Sequence, residues 1–255
     1  IARGTEMLRS AGVSSLNFDL MYGLPGQTLA DLEHTLARTV ELGADRIALF
    51  GYAHVPHMIP RQQKIEASNL PGQQDRFAMA RFGFEYLLGA GYEPVGFDHF
   101  ARRDDPMAVA VREKRLHRNF QGFTDDAAPV LVGLGASAIS SFPTLLAQNE
   151  KNAGRYRMLL SQDRMPVVLG VTRSPGDRAT GRLIEQLLCQ GETRLGKTRL
   201  GAMSSALAPF IERGLARLDG DLLSILAEGL PYARTIAALF DPYRQDSLRR
   251  FSSAV

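Results

Sequence analysis

The sequence predicts an α/β fold, with an open sheet of crossover-connected strands over residues 1–160 and a smaller, mainly helical unit over residues 161–255. Three observations predict it. Short apolar runs alternate with amphipathic stretches through the first part, the pattern of strands joined by packed helices. Near residue 165 the alternation gives way to the Pro/Gly-rich stretch "SQDRMPVVLGVTRSPGDRATGRLIEQLLCQ", read as a connection followed by a helix. Beyond it, "GLARLDGDLLSIL" sets two short apolar strands around Asp219-Gly220, a hairpin signal because Gly accepts positive φ.

Taken in order, "IARGTEMLRSAGV" predicts a short helix ending near Gly12, and "NFDLMY" within residues 15–22 predicts a strand. Leu29, Leu32, Leu36 and Val40 recur at helical spacing behind Thr28, which with Asp31 approximates a capping box. "DRIALFGYAH" reads as a second strand, and a proline-containing loop leads to a helix through "RFAMARFGFEYLLGAG". "YEPVGFDHF" reads as a third strand. Three strands are too few to close a barrel, so an open edge is expected where the chain begins. In the second part, helix, helix, hairpin and the helix "YARTIAALFDPYRQ" describe a winged-helix-like shape, read as a partner surface rather than a DNA reader.

Composition narrows the function classes. The chain has 255 residues, 45% hydrophobic and 22% charged, normal for a packed soluble protein. Its net charge is +3 with the basic residues scattered, which argues against a nucleic-acid footprint. The apolar stretch "PVLVGLGASAI" is shorter than the roughly 18 residues a membrane helix needs. The single cysteine, Cys189, excludes an intrachain disulfide, fits a reducing compartment and lies on the apolar face of "RLIEQLLCQ" as a core thiol. The opening residues lack a start methionine and the features of a signal peptide, so a fragment is expected.

One strand carries an acid. Asp19 sits in "NFDLMYGLPGQT", where an unpartnered buried carboxylate would cost several kcal/mol, so it either joins a structural network or is presented to a ligand. Sheets of this kind place working residues at the carboxyl ends of strands, where Asp19, Ala53 and the pair Asp98–His99 are expected. Adjacent residues of one strand face opposite ways, so at most one of Asp98 and His99 is expected to touch a ligand. "ARRDD" after them reads as a solvated loop with weak ion pairs. "LHRNFQGF" interleaves His117, Arg118, Asn119 and Gln121 with Phe120 and Phe123, the donors and aromatics that suit a carboxylated flat ligand but also an anchored surface loop. His54 and His57 of "HVPH" lack a third metal ligand. "VGLGASAIS" lacks the third glycine and downstream acid of a dinucleotide loop, so close packing against a cofactor or neighbouring backbone is its expected use.

"NFDLMYGLPGQT", "FGYAHVPH", "GFDHFAR", "LHRNFQGF" and "GLGASAIS", in this order, closely resemble the oxygen-independent coproporphyrinogen III oxidases, which are radical S-adenosylmethionine (SAM) enzymes. The resemblance runs through the whole chain, including the C-terminal "FDPYRQDSLRRFSSAV". It implies the C-terminal part of a partial (β/α) radical SAM barrel followed by the winged-helix-like unit. It implies SAM and a [4Fe-4S] cluster as cofactors, coproporphyrinogen III as substrate, an electron donor as partner, a cytoplasmic location and a monomeric full-length enzyme. Matching motif positions imply that Asp19, Ala53 and Ile139 bind SAM and that His117, Arg118 and Gln121 bind substrate. The C-x3-C-x2-C motif that holds such a cluster is not in this chain, so its cysteines are expected upstream and the chain alone is expected to be inactive. A haem-binding chaperone on the same scaffold is the alternative, and a DNA-binding module is a third.

Overall fold

The computed structural model describes residues 1–244; "FDPYRQDSLRRFSSAV" falls largely outside the described residues. The first half builds one four-stranded sheet. Helix α1 (Ala2–Ser10) leads to β1 (Asn17–Tyr22), α2 (Leu29–Glu41) and β2 (Arg46–Gly51), and β1 and β2 pair in parallel. The capping box expected at the start of α2 is present: Thr28 Oγ1 accepts from the Asp31 N–H, and Asp31 Oδ2 accepts from the Thr28 N–H at 2.8 Å. Helix α3 (Gln73–Gly89) follows. Leu32, Leu36, Met79 and Leu87 of the two helices pack on Tyr22, Ile47, Leu49 and Phe100 of the sheet, forming the first core.

The predicted third strand is two strands. β3 (Tyr92–Val95) and β4 (His99–Arg102) form an antiparallel hairpin, and β4 pairs antiparallel with β2, so the sheet order is β1-β2-β4-β3. Strand–helix alternation therefore implies parallel pairing for β1 and β2 only. The break falls at Gly96, whose φ of +68° reverses the chain. A Cβ at Gly96 would also stand 2.0 Å from the Phe123 ring.

Helix α4 (Pro106–Arg112) covers the second face of the sheet at its β3–β4 end. Asp105 caps α4 through the Met107 N–H at 2.8 Å and accepts from Arg46 Nε at 2.8 and 2.9 Å while itself buried. "ARRDD" is thus not wholly a solvated loop: its last acid is a buried anchor between β2 and α4. A small antiparallel pair, β5 (His117–Arg118) and β6 (Phe123–Thr124), comes next. Then β7 (Ile139–Phe142), β8 (Leu145–Asn149), α5 (Ala153–Ser161) and β9 (Val167–Thr172) contribute a three-stranded antiparallel sheet in the order β7-β8-β9. The stretch read as a connection holds this last strand, all six residues of which are exposed.

The winged-helix-like part forms around a second core. Helix α6 (Pro175–Gln190), β10 (Glu192–Arg194), α7 (Gly196–Glu212), β11 (Ala216–Asp219), β12 (Leu222–Ile225) and α8 (Ala233–Ala238) bury Leu183, Leu187, Leu207, Leu223 and Ile236 together. The hairpin expected at Asp219-Gly220 is there, with Gly220 at φ +59°. Cys189 is buried as expected, but against Val95, Met107 and Leu116 of the first half, so α6 contributes to two cores. Burial pushes its thiol up to about 12 from 9.0.

Candidate functional site

The side-chain alternation of β1 turns Phe18, Leu20 and Tyr22 toward the first core and leaves Asn17, Asp19 and Met21 exposed on the other face. Asp19 is third of the six residues in β1, so it lies mid-strand rather than at the carboxyl rim where the sequence placed it. Its register partner is Ala48, whose partner on β4 is His99, so the three form one row across this face. Asn17 Nδ2 donates to Asp19 Oδ1 at 2.7 Å; among the described residues Oδ2 has no partner. The carboxylate is therefore solvated and available, and the burial cost that made it noteworthy in the sequence does not arise.

The row runs into an aromatic and cationic cluster. Asp98 lies in the turn before β4, which lets its Oδ1 meet His99 Nδ1 at 2.6 Å. The expectation that these two residues face opposite ways fails because the strand does not continue through Gly96. The His99 ring stands edge-on to Phe50 at 5.5 Å and to Phe123 at 5.3 Å, and Phe97 meets Phe123 at 5.6 Å. The Arg118 guanidinium lies over the Phe123 ring at 4.7 Å and over Phe97 at 5.3 Å. Motifs from β2, the β3–β4 turn and the β5–β6 hairpin thus converge on one spot.

Of the remaining predicted residues, His117 and the Arg118 backbone N–H approach Glu185 of α6, with His117 Nδ1 at 3.3 Å and the N–H donating at 3.1 Å to Oε1. Gln121 is exposed, and its N–H donates to Asn119 Oδ1 at 2.8 Å in a tight turn. Ala53 follows β2, where Gln62 Nε2 donates to its carbonyl at 2.9 Å and Gln62 Oε1 accepts from the Val55 N–H at 2.6 Å, which fixes that loop. Ile139 opens β7, and no hydrogen bond described joins its sheet to β1 or β2. Gly133 packs on it so closely that a Cβ would lie 2.8 Å from the Ile139 carbonyl oxygen, and Asn149 Nδ2 donates to the carbonyls of Gly133 and Gly135. Gly133 thus serves close backbone packing, one of the two uses the sequence suggested, whereas Gly135, at φ +105°, has open space where a Cβ would stand.

Sequence reasoning missed Phe50, Phe97, Glu185 and Arg234. Arg234, from α8, reaches the same Phe97 ring at 5.6 Å. No local pattern marks it, because the contact spans more than a hundred residues. Arg76 was missed as well: its Nη2 donates to the Tyr52 carbonyl at 2.8 Å, while its buried Nε has no partner among the described residues. Burial raises the Tyr22 phenol, with Arg76 and Arg234 drawing it down and Asp98 pushing it up.

The residues present fit the two implied cofactors differently. An exposed carboxylate with one free oxygen suits a ligand bearing hydroxyl or ammonium donors. A cubane cluster needs several thiolates, and the one cysteine is buried with its thiol protonated, so this chain does not supply the ligands.

No protein-family model matches the chain. Among curated proteins, an oxygen-independent coproporphyrinogen III oxidase of Cereibacter sphaeroides is 40% identical over 253 residues, covering 96% of this chain and 56% of that protein. One from Bradyrhizobium diazoefficiens is 40% identical over 259 residues, covering 98% and 58%. Among solved structures, the Escherichia coli coproporphyrinogen III oxidase HemN, described as a radical SAM enzyme, matches with a TM-score of 0.88 at 34% identity, covering 95% of this chain and 58% of that one. The chain thus spans little more than half the length of these relatives. With five motifs in order, a shared backbone and this identity along nearly all of its residues, the chain is similar to the oxygen-independent coproporphyrinogen III oxidases over little more than half of their length.

Proposed function

We propose that this chain provides the substrate-side part of an enzyme that converts two propionate side chains of coproporphyrinogen III to vinyl groups, giving protoporphyrinogen IX in haem biosynthesis. Each reacting propionate loses a hydrogen atom from its β-carbon, then carbon dioxide and one electron, which passes to an electron acceptor. Bound SAM, given one electron by a [4Fe-4S] cluster, would supply the radical that takes the hydrogen atom. This chain's residues bind and position. Asp19 offers its free oxygen to the donors of SAM, the Ala53 backbone and Ile139 flank it, and Arg118 with His117 and Gln121 meets the carboxylated macrocycle. The cluster ligands come from outside these residues, and the chain alone is inactive. The enzyme works in the cytoplasm, draws on an electron donor and is a monomer at full length; among the described residues no helix is long and apolar enough to cross a membrane.

The observation that carries this reading is the convergence of Arg118, His99 and three phenylalanines beside the Asp19 row, cations and flat apolar surface together. Anaerobic turnover of coproporphyrinogen III by a protein of the relatives' full length containing this chain tests it. Protoporphyrinogen IX is the expected product. Haemin binding without any turnover would instead favour the chaperone.

A further inference from the structure

Two guanidiniums share one aromatic ring where the two halves of the chain meet. Arg118 of β5 lies 5.3 Å and Arg234 of α8 lies 5.6 Å from the Phe97 centroid. Stacking uses only the flat faces of a guanidinium and leaves the N–H edge free to donate. Neither guanidinium donates a hydrogen bond to any described residue, and neither has a described carboxylate within 4.0 Å. The nearby acids are engaged elsewhere: Asp98 meets His99, and Glu185 takes the Arg118 backbone N–H and His117. Two guanidiniums without a described carboxylate partner, beside two acids engaged elsewhere, leave a surplus of positive charge over aromatic surface.

We propose that Arg118 and Arg234, held on Phe97, form a binding site for a polycarboxylate with a flat apolar body, so that α8 of the C-terminal part helps select the ligand. The site rests on the tetrapyrrole reading above for its natural ligand, but its chemistry requires only carboxylates beside an apolar plane. Paired guanidiniums distinguish ligands by the number and spacing of their carboxylates, which a single surface arginine does not. Arg234 is a specificity determinant here, reached from a different half of the chain than the other predicted binding residues.

The test uses this chain as it stands, titrated with coproporphyrin III, its uncharged tetramethyl ester, and mellitate as a polycarboxylate without the macrocycle. Porphyrin fluorescence reads the first two, and calorimetry reads mellitate. R234Q and R118Q should each weaken coproporphyrin III at least tenfold, R234K should restore part of the loss, and the exposed R213Q should leave binding unchanged. The ester should bind all of these proteins alike. Circular dichroism and thermal melting identify any variant that fails to fold, in which case R234K against wild type carries the comparison. If mellitate binding depends on Arg234 while coproporphyrin III does not bind, the site stands and the tetrapyrrole reading falls. If coproporphyrin III binds with equal affinity to wild type, R234Q and R234K, the tetrapyrrole reading stands and this inference is overturned. If neither probe shows dependence on Arg234, the inference is likewise overturned.

Discussion

Single side chains decide how the site is held. Gly96 combines a positive φ with a Cβ position 2.0 Å from the Phe123 ring, so Gly96→Ala forces both backbone strain and displacement of the ring beneath Arg118. We expect a loss of about 3 kcal/mol in urea unfolding, the sum of a strained φ and an overpacked contact. A change under 1 kcal/mol would show that the turn can reshape. Asp105→Ala removes a buried ion-pair partner of Arg46 and the cap of α4 together, and should cost about 3 kcal/mol in the same assay. Cys189 gives a chemical check. Burial raises its thiol to about 12, so it should resist a thiol reagent at pH 8 in the native chain and react fully in denaturant. The folded thiol binds its proton more tightly than the unfolded one, so its stabilising effect is complete below about 9 and is lost as pH rises toward 12. Rapid native labelling at pH 8 would contradict the packing of α6 on α4.

At the scale of elements, β9 is the exception to orderly burial. Val167, Val168, Leu169 and Val171 are each 40% exposed or more on a strand bonded along one edge to β8. Such an edge pairs readily with another chain. Concentration-dependent self-association by sedimentation is expected, and Leu169→Lys should reduce it; a monodisperse wild-type monomer would contradict this. The same strand shows why sequence legibility was uneven. Helices α2 and α6 and the β11–β12 hairpin were legible because capping residues, apolar periodicity and an Asp-Gly turn are local. β9 was not, since its apolar residues point to both faces beside prolines and glycines, without the period-two alternation that marks a half-buried strand. The β3–β4 hairpin was hidden in an apparently continuous apolar run whose only break is Gly96. Of the site, Arg118 and Asp19 were legible through their motifs, whereas Arg234 and Glu185 become partners only through tertiary docking of the second half.

The whole molecule exposes more surface than a compact protein of its mass. Its accessible surface is 15970 Å², whereas a compact monomer of 28.0 kDa exposes about 11,000 Å². Part of the excess lies at β1, whose second face leaves Asn17, Asp19 and Met21 exposed. That open face carries the central claim: Asp19 is presented to a ligand rather than used to hold the fold. In a protein of the relatives' full length, Asp19→Ala should weaken SAM affinity by calorimetry at least tenfold while iron content and melting temperature stay unchanged. Equal SAM affinity in the variant and the parent would contradict the claim.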